Sequence, residues 1–172
     1  MGKATNNIFR LKQMLKHGSS IGAFISNRDF DSGGDMTTSG IDFHYHPGYN
    51  IHVTIHGAVS VHNESNNLEY VPNDEDSQTF DDGRHSKAFD GEEINGSALG
   101  IGISQWSRTD SRSIVARFRS PGFRTSNGFE QNNNTKWIKV SRGKSIFHEN
   151  HPKLLKSDYK FELTHKENFG GL

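Results

Sequence analysis

The sequence predicts an all-β protein: an antiparallel β-sandwich or jelly roll with one short N-terminal helix. Three observations support this. Residues 51–62 read Ile-His-Val-Thr-Ile-His-Gly-Ala-Val-Ser-Val-His, with Ile51, Val53, Ile55, Val59 and Val61 at odd positions and His52, Thr54, His56, Ser60 and His62 at even ones. A period of two places these sets on opposite faces of a half-buried strand, with the aliphatic set expected in a core. Turn signals recur at Pro47-Gly48, Asp82-Gly83, Asp90-Gly91, Pro121-Gly122 and Asn127-Gly128, and they separate eight or nine short apolar segments. No βαβ alternation and no internal repeat interrupts the series.

A chain of 172 residues is long enough for one domain with its own core. Its apolar fraction is only 31% and its mean hydropathy is −0.78, with 18 glycines and 12 phenylalanines. That composition suits a turn-rich sheet of modest core volume, or a subunit that gains burial from neighbours.

In chain order, Asn6 or Asn7 caps a helix over Ile8 to His17, with Ile8, Leu11 and Leu15 as its stripe and Gly18 as its stop. Residues 1–18 are thus read as a docking helix, too short to be stable unsupported. The β-sandwich domain spans 19–165. Its strands are Ile21 to Ser26, Phe43 to Tyr45, Tyr49 to His62, Leu68 to Val71, Ala98 to Trp106, Ser113 to Arg119, Trp137 to Val140, Ser145 to Phe147 and Tyr159 to Leu163. In the fifth of these, Leu99, Ile101 and Ile103 face one way and Gly100 and Gly102 the other, which lets another group approach closely. In the sixth, Ile114, Ala116 and Phe118 are expected inward and Val115, Arg117 and Arg119 outward. A C-terminal tail, 166–172, ends in Gly-Gly-Leu172.

Net charge is zero, which argues against a general nucleic-acid binder. The charges are segregated. Val61 to Asn95 carries ten acids and two bases, and Gln105 to the C-terminus thirteen bases and six acids. Such segregation suits complementary contacts between copies, with Arg117, Arg119, Lys136 and Lys139 as the basic partners of an acidic 73–93 segment. There is no cysteine, so thiolate metal sites and disulfides are excluded. The N-terminus lacks the apolar run of a secretory signal and no segment has the length of an apolar membrane span, so cytosolic synthesis without a membrane partner is expected. The sequons at Asn63, Asn95 and Asn133 then carry no expectation of glycosylation.

Several constellations bear on chemistry. His44-Tyr-His46-Pro-Gly-Tyr-Asn50, followed by Gly57, resembles the first motif of the cupin family, in which two histidines and a glutamate bind a divalent metal inside a small barrel. Asn50 stands in the glutamate's place, and an amide oxygen is a poorer ligand than a carboxylate. The second cupin motif is missing; Gly83-Arg84-His85 is its nearest remnant. The resemblance implies a metal site at His44, His46 and Asn50 as the alternative to none. His52, His56 and His62 lie roughly 13 and 20 Å apart along one strand and cannot share a metal among themselves. The acids of Asn73 to Asp76 with Asp81 and Asp82 are dense enough for calcium but lack the EF-hand spacing. His148-Glu-Asn-His151 would need a helix that Pro152 disfavours. Trp106 and Trp137 are candidates for stacking a carbohydrate. No nucleophile triad, phosphate loop or dinucleotide fingerprint occurs.

Ser113-Ile-Val-Ala-Arg-Phe-Arg-Ser-Pro-Gly122 resembles strand-and-turn segments of virion structural proteins of viruses and tailed phages. The expectation is a non-enzymatic structural subunit, without cofactor, of a larger assembly such as a capsid, decoration, neck or tail. It would be made in a host cytoplasm and would contact copies of itself and other structural subunits. Its expected interface comprises Ile8, Leu11, Leu15, Arg117, Arg119, Lys136, Lys139 and Leu172. The alternatives are a cupin-like metal-binding domain and a carbohydrate-binding module.

Overall fold

The structure is a computed structural model that describes residues 3–48, 50–66, 79–81, 83–86, 90–125, 133–149 and 153–169. The all-β, antiparallel expectation holds. Its strands are β1 (Ala4–Met14), β2 (Ser20–Phe30), β3 (Asp35–Gly48), β4 (Ile51–Asn63), β5 (Thr79–Phe80), β6 (His85–Ser86), β7 (Glu93–Trp106), β8 (Asp110–Arg119), β9 (Thr135–Phe147) and β10 (Lys156–Glu167). Eight of them form one antiparallel sheet in the order β1-β2-β3-β4-β7-β8-β9-β10, and β5 and β6 form a separate two-stranded ribbon. Each strand of the large sheet pairs with the next one along the chain, which is a meander. Two stacked layers, as in a sandwich or jelly roll, are not defined by this order.

The expected N-terminal helix is not present. Residues 4–14 are β1, paired in register with β2 from Ala4 opposite Phe30 to Met14 opposite Ser20. Ile8, Leu11 and Leu15 do have helical spacing, but a helix this short is marginal alone, and eleven consecutive partners on β2 outweigh its local preference. Among the described residues helical backbone is confined to a 3-10 turn at Lys16–Gly18, where His17 (φ 59°) and Gly18 (φ 76°) are left-handed and the Leu15 amide donates to the Ser19 carbonyl at 2.8 Å. Gly18 therefore reverses the chain instead of ending a helix.

Alternate connections fall at opposite ends of the meander. The connections after β1, β3, β7 and β9 lie at one end; those after β2, β4 and β8 lie at the other. The segment 120–125 folds back over the sheet. Phe123 packs there at 4% exposure, and with Ile94 at 0% it is one of two buried hydrophobic residues among those described. Gly96 makes the contact possible, because a Cβ there would lie 2.2 Å from the Phe123 backbone. The segment is pinned by the Arg124 amide, which donates to Ser60 Oγ at 3.1 Å, and by Thr38 Oγ1, which donates to the Arg124 carbonyl at 3.4 Å.

Candidate functional site

The candidate site is the sheet surface itself, because the two faces have opposite chemistry. Hydrogen-bond register defines rows that cross the sheet. One row runs Gln13, Ile21, Phe43, Ile55, Ile101, Ala116, Ile138, His165. The next, nearer the short-turn end, runs Tyr45, Val53, Ile103, Ile114, Val140, Leu163. On the other side lies Leu11, Ala23, Ile41, Gly57, Leu99, Phe118, Lys136, Glu167. All three rows share one face, so the apolar positions of all eight strands merge into one continuous surface.

That surface is open. Ile41 is 63% exposed, Ile55 37% and Leu163 61%. The expectation of a closed core is corrected for Ile55, Val59 and Ile114, which are exposed, while Ile51, Val53, Val61, Ala116 and Phe118 are half-buried. The alternation was read correctly, but the apolar face is the uncovered one. The polar face carries the burial instead: Ser60 is 1% exposed, and Ser20, Ser26, Thr38 and Thr135 are also buried.

On the polar face large side chains lie over glycines of the neighbouring strand. The Phe24 ring covers Gly40, Asp42 covers Gly22 and His56 covers Gly100. Charges pair laterally. Arg10 Nη2 meets Asp42 Oδ1 at 3.1 Å, and Glu162 receives Lys139 Nζ at 2.6 Å and Lys160 Nζ at 2.8 Å. Ser113 and Ser141 hydroxyls are 2.8 Å apart.

The apolar band is oblique to the strands. The row that starts at Leu11 leaves the band at Lys136 and Glu167, while the apolar positions of β10 (Tyr159, Phe161 and Leu163) centre on Phe161, six residues away. Six residues of rise over seven strand spacings is about 20 Å against about 34 Å, a tilt of about 30°. Tyr45, Tyr159, Arg112, Arg142 and Lys144 lie on this face at the short-turn border, and Thr5, Asn7, Asn27, Thr37, Asn95 and Ser97 at the other.

The structure separates the residues singled out from sequence. Leu11 is on the apolar face, whereas Ile8, opposite Ser26, is on the polar face. Leu15 lies beyond β1 in the turn, and Leu172 lies outside the described residues. Arg117, Arg119 and Lys139 share one cavity on the polar face with Thr135, Trp137, Thr164 and Lys166, whereas Lys136 points to the opposite face, its ammonium 4.4 Å from the Phe169 ring. Sequence reasoning singled out Trp137 only as a carbohydrate-stacking candidate and missed Thr135, Thr164 and Lys166. Their even spacing with Lys139 and Glu162 was visible, but the pairing of β9 with β10 was not.

His44 and His46 do not converge. His44 Nε2 is 3.9 Å from Asp42 Oδ2, and His46 Nε2 is 3.0 Å from His52 Nδ1, so His46 meets the histidine ladder across the hairpin. Asn50 accepts the Trp106 amide through its backbone carbonyl. Among the described residues no group of three or more histidines and acids is placed to hold a metal. Trp106 lies against His52, with ring centroids 4.6 Å apart, and the Arg117 guanidinium lies 5.2 Å from the Trp137 ring centroid. His148 Nε2 is 2.9 Å from Ser157 Oγ; His151, residues 73–78 and Asp82 fall outside the described residues. Beyond the end of β4, burial raises the Glu64 carboxyl above its ordinary value, opposed by the lowering effect of Arg124, whose guanidinium is 3.5 Å away.

No helix among the described residues is long and apolar enough to cross a membrane, and that statement does not extend to strands. Comparison with sequence-family profiles, curated proteins and solved structures finds no match.

Proposed function

We propose that this chain is a wall of a membrane β-barrel, with its apolar face against lipid acyl chains and its polar face turned inward. The observation that carries the reading is the apolar face: continuous over eight strands, open, and crossed by strands at a tilt close to that of transmembrane barrels, which is about 35–45°. The dimensions agree. Strands of 10–14 residues are about 33–46 Å long and rise about 28–40 Å at a 30° tilt, against a hydrocarbon core of about 30 Å. Tyrosines and basic residues at one border and amides and hydroxyls at the other match a slab with two wet interfaces. The polar face, with its small residues under larger ones and its laterally paired charges, has the chemistry of a barrel interior.

The reading is tested with brominated lipid. In a chain whose Trp106 and Trp137 are both replaced by Phe, a single Trp at Ile55 should be quenched in vesicles of brominated lipid, and a single Trp at Thr54 should not. Equal quenching at the two positions, or none at Ile55, overturns the lipid-facing assignment.

A second reading is favoured by the open edges of β1 and β10 together with the segregated charge: a non-enzymatic subunit of a water-soluble assembly, such as a virion component, whose neighbours cover the apolar face. It requires a monodisperse particle of many copies in buffer without detergent. Light scattering of the purified chain decides between the two.

A further inference from the structure

The cavity between β8, β9 and β10 is built for an anion. Register places Arg117 opposite Trp137 and Arg119 opposite Thr135, and on the other side Trp137 opposite Lys166 and Lys139 opposite Thr164. Strands are about 4.8 Å apart and same-face residues about 6.7 Å apart, so Arg117, Arg119, Lys139 and Lys166 surround the Trp137 position within roughly two residue spacings. They line a space of 340 Å³ together with the hydroxyls of Thr135 and Thr164, and no carboxylate among the described residues lines it. The nearest acid along β10 on that face, Glu162, already accepts from both Lys139 and Lys160. Lys139 is thus held by Glu162, and the positive potential that an anion would relieve comes chiefly from Arg117 and Lys166. The arginine forks suit a tetrahedral oxyanion, and the threonine hydroxyls add neutral donors.

We infer that this cavity binds a phosphate- or sulfate-bearing small molecule, its oxyanion held by Arg117, Arg119 and Lys166. Neither the membrane reading nor the assembly reading is needed for this, because the cavity lies on the polar face. In a barrel it would face the inside, where basic residues favour the passage of anions.

The test uses the full chain in detergent micelles with Trp106→Phe, which leaves Trp137 as its only tryptophan. Inorganic phosphate is titrated at constant ionic strength against sodium chloride. The expected result is a saturable change in Trp137 emission with one site per chain. Arg117→Gln/Lys166→Gln should weaken it by more than roughly tenfold, since two charge-assisted contacts are removed. Lys12→Gln/Lys144→Gln, which removes the same charge elsewhere, should leave it unchanged. A response that follows ionic strength alone, or equal weakening in both double variants, overturns the inference. Circular dichroism checks that the variants fold. If the cavity variant does not, phosphorus-31 line widths with the unsubstituted chain decide, and a failure to saturate overturns the site.

Discussion

Ile55 and Ile101 stand directly opposite each other across β4 and β7, on the apolar face, and each leaves more than a third of its surface open, 37% and 38%. In a water-soluble core this central pair would be covered. Ile55→Asp is therefore expected to disturb insertion into a bilayer, at a cost on the order of 2 kcal/mol near the midplane, while His56→Ser on the polar face inserts like the unsubstituted chain. Vesicle flotation after refolding into liposomes measures this. Equal recovery of the two variants in the lipid fraction would show that the apolar face does not contact lipid.

Two glycines make opposite predictions. A Cβ at Gly96 would meet the Phe123 backbone at 2.2 Å, and backbone cannot step aside as a side-chain tip can. Gly96→Ala should lift segment 120–125 off the polar face and destabilise the fold by about 1–3 kcal/mol, with faster proteolysis after Arg124. Gly57 lies on the open face with nothing closer than 3.9 Å to an added Cβ. Gly57→Ala should be neutral or stabilising by a few tenths of a kcal/mol, since glycine is costly within a strand. Denaturant titration of both variants reads the contrast.

The strands were legible because alternation is a local signal. Ile51 to Val61 and Leu99 to Ile103 can be assigned to faces without knowing any partner. The sign of those faces was not legible. Alternation separates Ile55 from His56 but does not say which of them meets water, lipid or another subunit. Register lines up Phe43, Ile55, Ile101 and Ile138 on one face, and no layer of the described residues covers them. The helix expected over Ile8 to His17 failed for a related reason: Ile8, Leu11 and Leu15 satisfy a period near 3.6 while Phe9 and Leu11 satisfy a period of two, and only β2 decides between them. The basic cavity was half legible, since Arg117, Arg119 and Lys139 stood out by charge. Trp137 and Lys166 join them through pairing across β9 and β10.

Glu64 should give the 120–125 segment a pH dependence. Its carboxyl is pushed above the ordinary glutamate value chiefly by burial, against the opposing effect of Arg124, and Oε2 has no hydrogen-bond partner. A carboxyl whose folded value is raised contributes its stability at low pH and loses it as pH rises through the folded value. Glu64→Gln cannot ionise and should remove that loss. Stability should fall less steeply across the range just above the ordinary glutamate value in the variant than in the parent. Thermal melts in buffers between about pH 4 and pH 8 check this. A variant that keeps the parental slope would place the titration elsewhere.

The edges of the sheet bear the strongest constraint. Among the described residues β1 and β10 each pair on one side only, leaving eleven- and twelve-residue strands with backbone groups unmatched there on the other. In hydrocarbon each unsatisfied group costs several kcal/mol, so an open edge is not tolerated there. The two edges run antiparallel to each other, since seven antiparallel pairings link the first strand of the meander to the last, and each presents apolar residues on the same face: Phe9 and Leu11 on β1, Phe161 and Leu163 on β10. Edge-to-edge pairing of β10 with β1 therefore continues the apolar surface without a break. The chain has no cysteine, so single cysteines at Leu11 and Phe161 give an unambiguous readout. In bilayers, chains bearing both should form a disulfide or react with a short bifunctional thiol reagent, either within one chain or between copies. Chains bearing one cysteine at Leu11 and another at Thr164, which points to the other face of β10, should not bridge. If no cysteine along Phe9 to Gln13 reacts with any along Tyr159 to Leu163 in a lipid-inserted sample, β10 and β1 do not close on each other, and strands of different origin must satisfy both edges.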